Sequence, residues 1–305
     1  MTKKIFYSAF LGLISLSLLP SCGLKKTAAG ITADVFKAGL PAIEEEQDVA
    51  FANESSLSSL KMLEALQRAN PKNKSILFML ARSYASYTFG FVEQDILEAK
   101  GVNETLEKNA SDRAKLFYGR GQKFGLLLLS QNGSFKSALN GTLDDFKKSL
   151  QSFSKKDVPN LFWTAFNWGS LLNFSKDSPD AIAEMPRIEA LMNRIVELDP
   201  HYYYDSPAQF FGVFYAARPT MLGGQPEASK KSFEGAIEST QGKYLMIKVL
   251  MAQFYAVQIQ DKNLFRSLLQ EVVNADATVL PEQRLANEVA KKRATVLLSK
   301  EKLFF

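Results

Sequence analysis

Apolar residues along this chain recur at three- and four-residue intervals and nowhere alternate for long with a period of two. Leu57, Leu60, Leu63, Leu66 and Ala69 form one stripe, and Leu77, Leu80, Ala81, Tyr84 and Thr88 the next. Thr142-Leu143-Asp144-Asp145 has the form of a capped helix start, ahead of Phe146, Leu150 and Phe153. Ser178-Pro179 is a second start signal, with proline at the first helical position, and leads into Ile188, Leu191, Ile195 and Leu198. Later stripes run through Leu250, Phe254 and Val257, then Leu264, Leu268 and Val272, then Leu285, Val289 and Val296. Breaks fall at Asn70-Pro71, Asn132-Gly133, Asp199-Pro200 and Gly223-Gly224. The pattern predicts an all-α fold of stacked antiparallel helical hairpins.

Some of these hairpins match the spacing of a tetratricopeptide repeat, in which small residues sit where two helix backbones come closest. Leu77, Leu80, Ala81 and Tyr84 fall at first-helix offsets after Asn70-Pro71, Leu198-Asp199-Pro200 closes a second unit, and Gly224, Pro226, Phe233 and Ala236 fit a third. Between them the spacing stretches, so the expectation is a tetratricopeptide-repeat-like stack with degenerate repeats; a non-repeat helical bundle is the alternative.

Ahead of the stripes, Lys3 and Lys4 precede an apolar run from Ile5 to Leu19 that ends in Leu19-Pro20-Ser21-Cys22. A positive start, a short apolar run and small residues make an export signal. The end of it resembles the bacterial lipobox, in which the cysteine is acylated and becomes the first residue of the mature chain. Pro20 stands where a small or β-branched residue is commoner. An ordinary secreted protein and an uncleaved anchor helix are the alternatives. The expected organisation is a lipoprotein signal peptide over 1–21, a lipidated tether and lead-in over 22–55, and a helical domain over 56–305.

Composition then narrows the chemistry. Of 305 residues, 37 are Lys or Arg and 32 Asp or Glu, and the net charge of +5 is spread along the chain, which gives no reason to expect nucleic acid. One cysteine and one histidine leave no intrachain disulfide, no cysteine-based zinc site and no multi-histidine metal centre. No cofactor and no metal is expected. His201 with Asp205, and Ser206 beside them, bring a hydrolytic triad to mind, but His201 follows Asp-Pro at a turn and no Gly-x-Ser-x-Gly elbow exists. Gly119-Arg120-Gly121 with Gly125 lacks the strand-turn-helix context of a phosphate loop. Lys291-Lys292-Arg293 is read as a solvated helix face.

The most individual segments are aromatic. Trp163, Phe166 and Trp168 either line an apolar cleft or fill a core, and Asn167 among them needs a backbone partner or a cavity. Tyr202-Tyr203-Tyr204 is too aromatic for a solvated turn, and Arg218-Pro219 leads into Gly223-Gly224. Taken in order from the Trp-x-x-x-x-Trp-Gly run to Asp261, Phe265 and Leu268-Leu269, roughly residues 50–298 resemble the T component (TatT family) of TRAP transporters. The resemblance implies a periplasm-facing lipoprotein, anchored to the membrane through Cys22, that forms a homotrimer and works with the extracytoplasmic solute-binding P subunit of the transporter. It implies no catalysis, and a hydrophobic passage for a small, partly apolar ligand. Trp163, Asn167, Trp168, Tyr204 and Arg218 are the residues expected near that passage. A lipoprotein acting purely as a protein–protein scaffold is the alternative.

Overall fold

The computed structural model describes residues 21–175, 178–217 and 223–305, and among these every regular element is a helix. The first are α1 (Ser21–Ala38) and the five-residue α2 (Leu40–Glu44). Next come α3 (Val49–Ala69) and α4 (Lys74–Tyr87), separated by Asn70-Pro71. Asn73 caps α4 by accepting from the Ile76 amide at 3.0 Å. A π turn (Thr88–Val92) carries α4 into α5 (Glu93–Ala99). There follow α6 (Glu104–Leu129), α7 (Gly133–Ala138), α8 (Leu143–Leu150) and α9 (Val158–Asn173). Thr142 and Asp145 make the reciprocal cap that the sequence suggested for α8. The second half holds α10 (Pro179–Ala183), α11 (Met185–Leu198), α12 (Tyr202–Ala216) and α13 (Pro226–Ser239). Finally come α14 (Met246–Leu250), a second π turn (Met251–Ala256), α15 (Lys262–Asn274) and α16 (Arg284–Ser299).

Neighbours in sequence pack together, α3 on α4, α12 on α13 and α15 on α16, while α6 lies against both α4 and α9. The apolar stripes supply these contacts: Leu60, Leu63, Leu77, Leu80, Phe146, Ile188, Leu191, Val272 and Val289 are all buried. The last helix returns to the start, where α16 touches α2, α3 and α5. The chain therefore closes on itself.

The structure adds detail to two segments read from the sequence. Within 22–55, expected as a tether and lead-in, α1 packs against α3 and α4 through Ala29 and Ala33, and the Asn70 amide donates to the Lys26 carbonyl at 3.1 Å. Alanines four apart give α1 a flat face on which two helices can lie. In the basic run at 291–293, Lys292 is exposed as expected, but Arg293 is only 2% exposed. The helical period turns it inward between Ala290 and Leu297, both fully buried.

The glycines on α6 have a packing role. A Cβ at Gly121 would stand 2.0 Å from Asn167 Oδ1, and one at Gly125 would stand 2.4 Å from Thr164 Oγ1, both on α9. These positions, one turn apart, let the two helix backbones approach closely. Asn167 is fixed there by its own hydrogen bonds to the carbonyls of Ala81 (2.8 Å) and Trp163 (2.6 Å), so it has no room to yield. Gly121→Ala is expected to cost about 1–3 kcal/mol, lowering the melting temperature by several degrees. Thermal melts should show that adding Asn167→Ala to that variant costs less than Asn167→Ala does alone.

Candidate functional site

A cavity of about 710 Å³ lies inside the closed arrangement. It falls within the range of about 300–1,000 Å³ usual for small-molecule sites. Its walls come from nearly every part of the chain: Phe162, Trp163 and Phe166 from α9, Phe210 and Val213 from α12, and Leu285 and Val289 from α16. Both π turns also open onto it, through Phe89, Gly90 and Phe91 in one and Phe254 in the other. A π turn shifts the hydrogen-bond register and re-aims the side chains beyond it, which is why such turns gather at binding sites.

The rings brace one another instead of collapsing inward. Phe89 meets Phe166 edge-on at 5.7 Å, Phe162 meets Trp163 at 5.1 Å, and Phe210 stacks with Phe214 at 5.8 Å. Gly169 makes room for this wall, since a Cβ there would stand 2.9 Å from Phe210 Cε2.

Two polar clusters interrupt the apolar lining. In the first, Arg82 pairs with Glu44, and its guanidinium lies 5.4 Å from the ring centroids of both Trp163 and Tyr203. Tyr203 donates to Glu44 Oε1 at 2.9 Å, and the Gln283 side-chain amide lies 3.2 Å from the same hydroxyl. Burial pushes the Tyr203 phenol well up from 10.0 and that of Tyr202 to about 12, so both stay neutral donors. In the second cluster Glu93 faces the cavity, accepts from the Tyr118 hydroxyl at 2.5 Å and lies 3.7 Å from Arg293. Arg293 also donates to the Phe89 carbonyl and sits 4.5 Å over the Phe89 ring. Arg82 and Glu93 stand eleven positions apart on the run from α4 through the π turn into α5, a rise of about 16 Å.

The residues expected from sequence are only partly brought together. Trp163 is in the cavity wall. Asn167 is fully buried at the crossing of α6 and α9, outside the lining, and Trp168 points elsewhere, edge-on to Phe146 at 6.3 Å. Tyr204 stacks flat on Tyr244 at 4.9 Å; Tyr244 lines the cavity and Tyr204 stands behind it. Arg218 lies outside the described residues, as do residues 1–20 of the expected signal peptide and the Cys22 side chain. His201 does pair with Asp205 at 2.7 Å, but Asp205 also accepts from Ser239 at 2.6 Å, and the Ser206 hydroxyl donates to the Tyr203 carbonyl at 2.5 Å. No nucleophile is held by that histidine. Sequence reasoning missed Glu44, Arg82, Glu93 and Arg293, none of which carries a local motif.

The family model for the TRAP transporter T-component matches residues 45–305. The chain belongs to the TRAP transporter T-component family. It is thereby an accessory component of a TRAP transporter, in a family associated with the cell envelope. An uncharacterized protein of Treponema pallidum (strain Nichols) is similar to this T-component chain, at 23% identity over 266 residues, which is 86% of this chain and 81% of that one. Among the described residues no helix is long and apolar enough to cross a membrane.

The Glu93–Arg293 pair sets two expectations for this T-component. Removing one partner of a buried ion pair leaves the other charge uncompensated, so Arg293→Leu should cost about 3–5 kcal/mol in urea unfolding, and less when Glu93→Gln is already present. Burial pushes the Glu93 carboxyl up from 4.5, against the opposing pull of Arg293 and Tyr118. A carboxyl raised in this way takes up protons on folding, so its contribution to stability falls as pH climbs above 4.5. The stability of the wild type relative to Glu93→Gln should accordingly decline over that range; a difference that grows with pH would mean that Arg293 outweighs burial.

Proposed function

We propose that this T-component is a periplasm-facing lipoprotein that works with the solute-binding P subunit of its transporter and holds a small, largely apolar ligand in the central cavity. The observation that carries the ligand is the cavity itself, walled by braced aromatic rings in a protein whose family serves solute transport. Acylation at Cys22 supplies the anchor and raises the local concentration of the protein near the membrane-embedded transporter. The paired helices act as degenerate tetratricopeptide-repeat-like hairpins that form a rigid frame, and the homotrimer rests on the family resemblance. Substrate passes to or from the P subunit without chemical change, so no catalytic group is required.

Native mass spectrometry after mild extraction tests this reading. A co-purifying apolar molecule is the expected result. Ser86 lines the cavity yet is exposed, so Ser86→Trp should occupy part of the space without disturbing the core. That variant is expected to lose the bound molecule, or to bind an apolar fluorescent probe at least about tenfold more weakly. Reproducibly empty wild-type subunits that still bind the P subunit would overturn the ligand and leave a pure protein–protein scaffold.

A further inference from the structure

The ion pair at the cavity wall has an unusual construction. Arg82 belongs to the frame: it sits on α4, its side chain is 13% exposed, and two aromatic rings flank its guanidinium. Its carboxylate partner does not belong to the frame. Glu44 ends α2, a helix of five residues with no buried residue of its own, set between Gly39 and the non-helical residues 46–48. The same short helix places Leu40 and Ile43 in the cavity lining, although Ile43 remains 40% exposed. Beyond the pair with Arg82 and the hydrogen bond from Tyr203, α2 rests on α1, α16 and the turn at Pro281–Gln283.

What α2 presents to the cavity is thus two aliphatic side chains and one carboxylate. The carboxylate meets a cation and a hydroxyl donor that converge on the same oxygen, Glu44 Oε1. That is the chemistry of an aliphatic acid, supplied in cis. We infer that Arg82 and Tyr203 form the head-group site for a carboxylate-bearing amphiphile, a long-chain fatty acid in class, and that α2 is a displaceable stand-in for it. When α2 swings away, the buried guanidinium would be left without a partner, which is strongly unfavourable. Glu44 offers Arg82 and Tyr203 one oxygen between them, whereas a free carboxylate can give an oxygen to each, so exchange strengthens the charge-assisted bonds of the site. The tail adds about fourfold in affinity per buried methylene. A neutral apolar ligand, by contrast, would leave Glu44 on Arg82 and gain nothing from its removal.

The inference rests on the cavity being the ligand site, and the choice of probes separates the two. Palmitate and 1-hexadecanol share a tail and differ in the head, and binding of each to the full chain is measured by calorimetry in detergent-free buffer at neutral pH. Wild type should bind palmitate at least about tenfold more tightly than hexadecanol. Arg82→Gln should lose that preference while hexadecanol affinity changes by no more than about twofold, and Glu44→Gln should strengthen palmitate alone several-fold by removing the internal competitor. Equal affinity for the two probes in wild type, or parallel losses for both in Arg82→Gln, overturns the head-group site and leaves an apolar cavity intact. Neither probe binding to wild type or to Glu44→Gln overturns the cavity as the ligand site as well. Should Arg82→Gln fail to fold by circular dichroism, Glu44→Gln carries the test alone, because its position on the periphery spares the core; unchanged palmitate affinity in it would reject the displaced-helix exchange.

Discussion

A guanidinium buried between the two ends of the chain holds this molecule closed. Arg293 sits on α16, and its hydrogen-bond, ring and ion-pair partners lie some two hundred residues earlier: the Phe89 carbonyl, the Phe89 ring and Glu93. The Phe89 carbonyl belongs to a π turn, where the hydrogen-bond register is shifted, so the turn and the arginine fit each other. A buried arginine without these partners would be intolerable, and a π turn without them would have little to hold its shape. Pairing them ties α16 to the α4–α5 run and draws the helices around the cavity. An open stack of the same helix pairs would have a concave face but no interior.

The interior stays hollow because its walls have already found their partners. Phe89, Phe162, Trp163, Phe166, Phe210 and Phe214 lean on one another in pairs along the wall, and the two acids there are bound to arginine and tyrosine. Filling the gap from within would require some of these side chains to give up edge contacts for a weaker reach across open space. Gly169 and the two π turns act in the same direction, since they set the wall residues back from one another. The result is a cavity that is apolar over most of its surface and carries two charge-neutral polar clusters, one at the frame's inner edge and one beneath the peripheral helix α2.

Much of the fold could be read from the sequence, because a helix announces its buried face every three or four residues. Thr142 and Asp145, Ser178-Pro179 and Asn70-Pro71 marked real helix boundaries for local reasons of capping and backbone geometry. Of the aromatic run at 161–169, only one rotational face reaches the cavity. Trp163 and Phe166 are three apart and share that face, whereas Asn167 and Trp168 turn toward α6 and α8. Choosing between faces needs knowledge of what lies opposite, which periodicity does not contain. Arg82 with Glu44 and Arg293 with Glu93 stayed invisible for the same reason: each acid and base is unremarkable alone, and the pairing exists only after the chain has closed. The glycines of α6 were correctly denied a phosphate role, but their true role required the position of Asn167.

The triple tyrosine turn shows why the polar cluster at Arg82 is more than an incidental ion pair. Tyr203, Tyr204 and Asp205 all adopt left-handed backbone angles, with φ of 45°, 56° and 56°. For residues bearing a Cβ this costs roughly 1–2 kcal/mol each, so three in succession persist only where the surroundings over-determine them. The surroundings do so. Ser206 and Gln209 donate to the carbonyls of Tyr203 and Tyr204, Asp205 is held by His201 and Ser239, and Tyr204 is clamped flat on Tyr244. A right-handed start to α12 would relieve the strain, but it would rotate Tyr203 off the line that brings its hydroxyl to Glu44 and its ring against Trp163 and Arg82. The fold therefore accepts a costly local conformation that sets a hydroxyl donor and an aromatic ring beside a largely buried cation at the cavity wall.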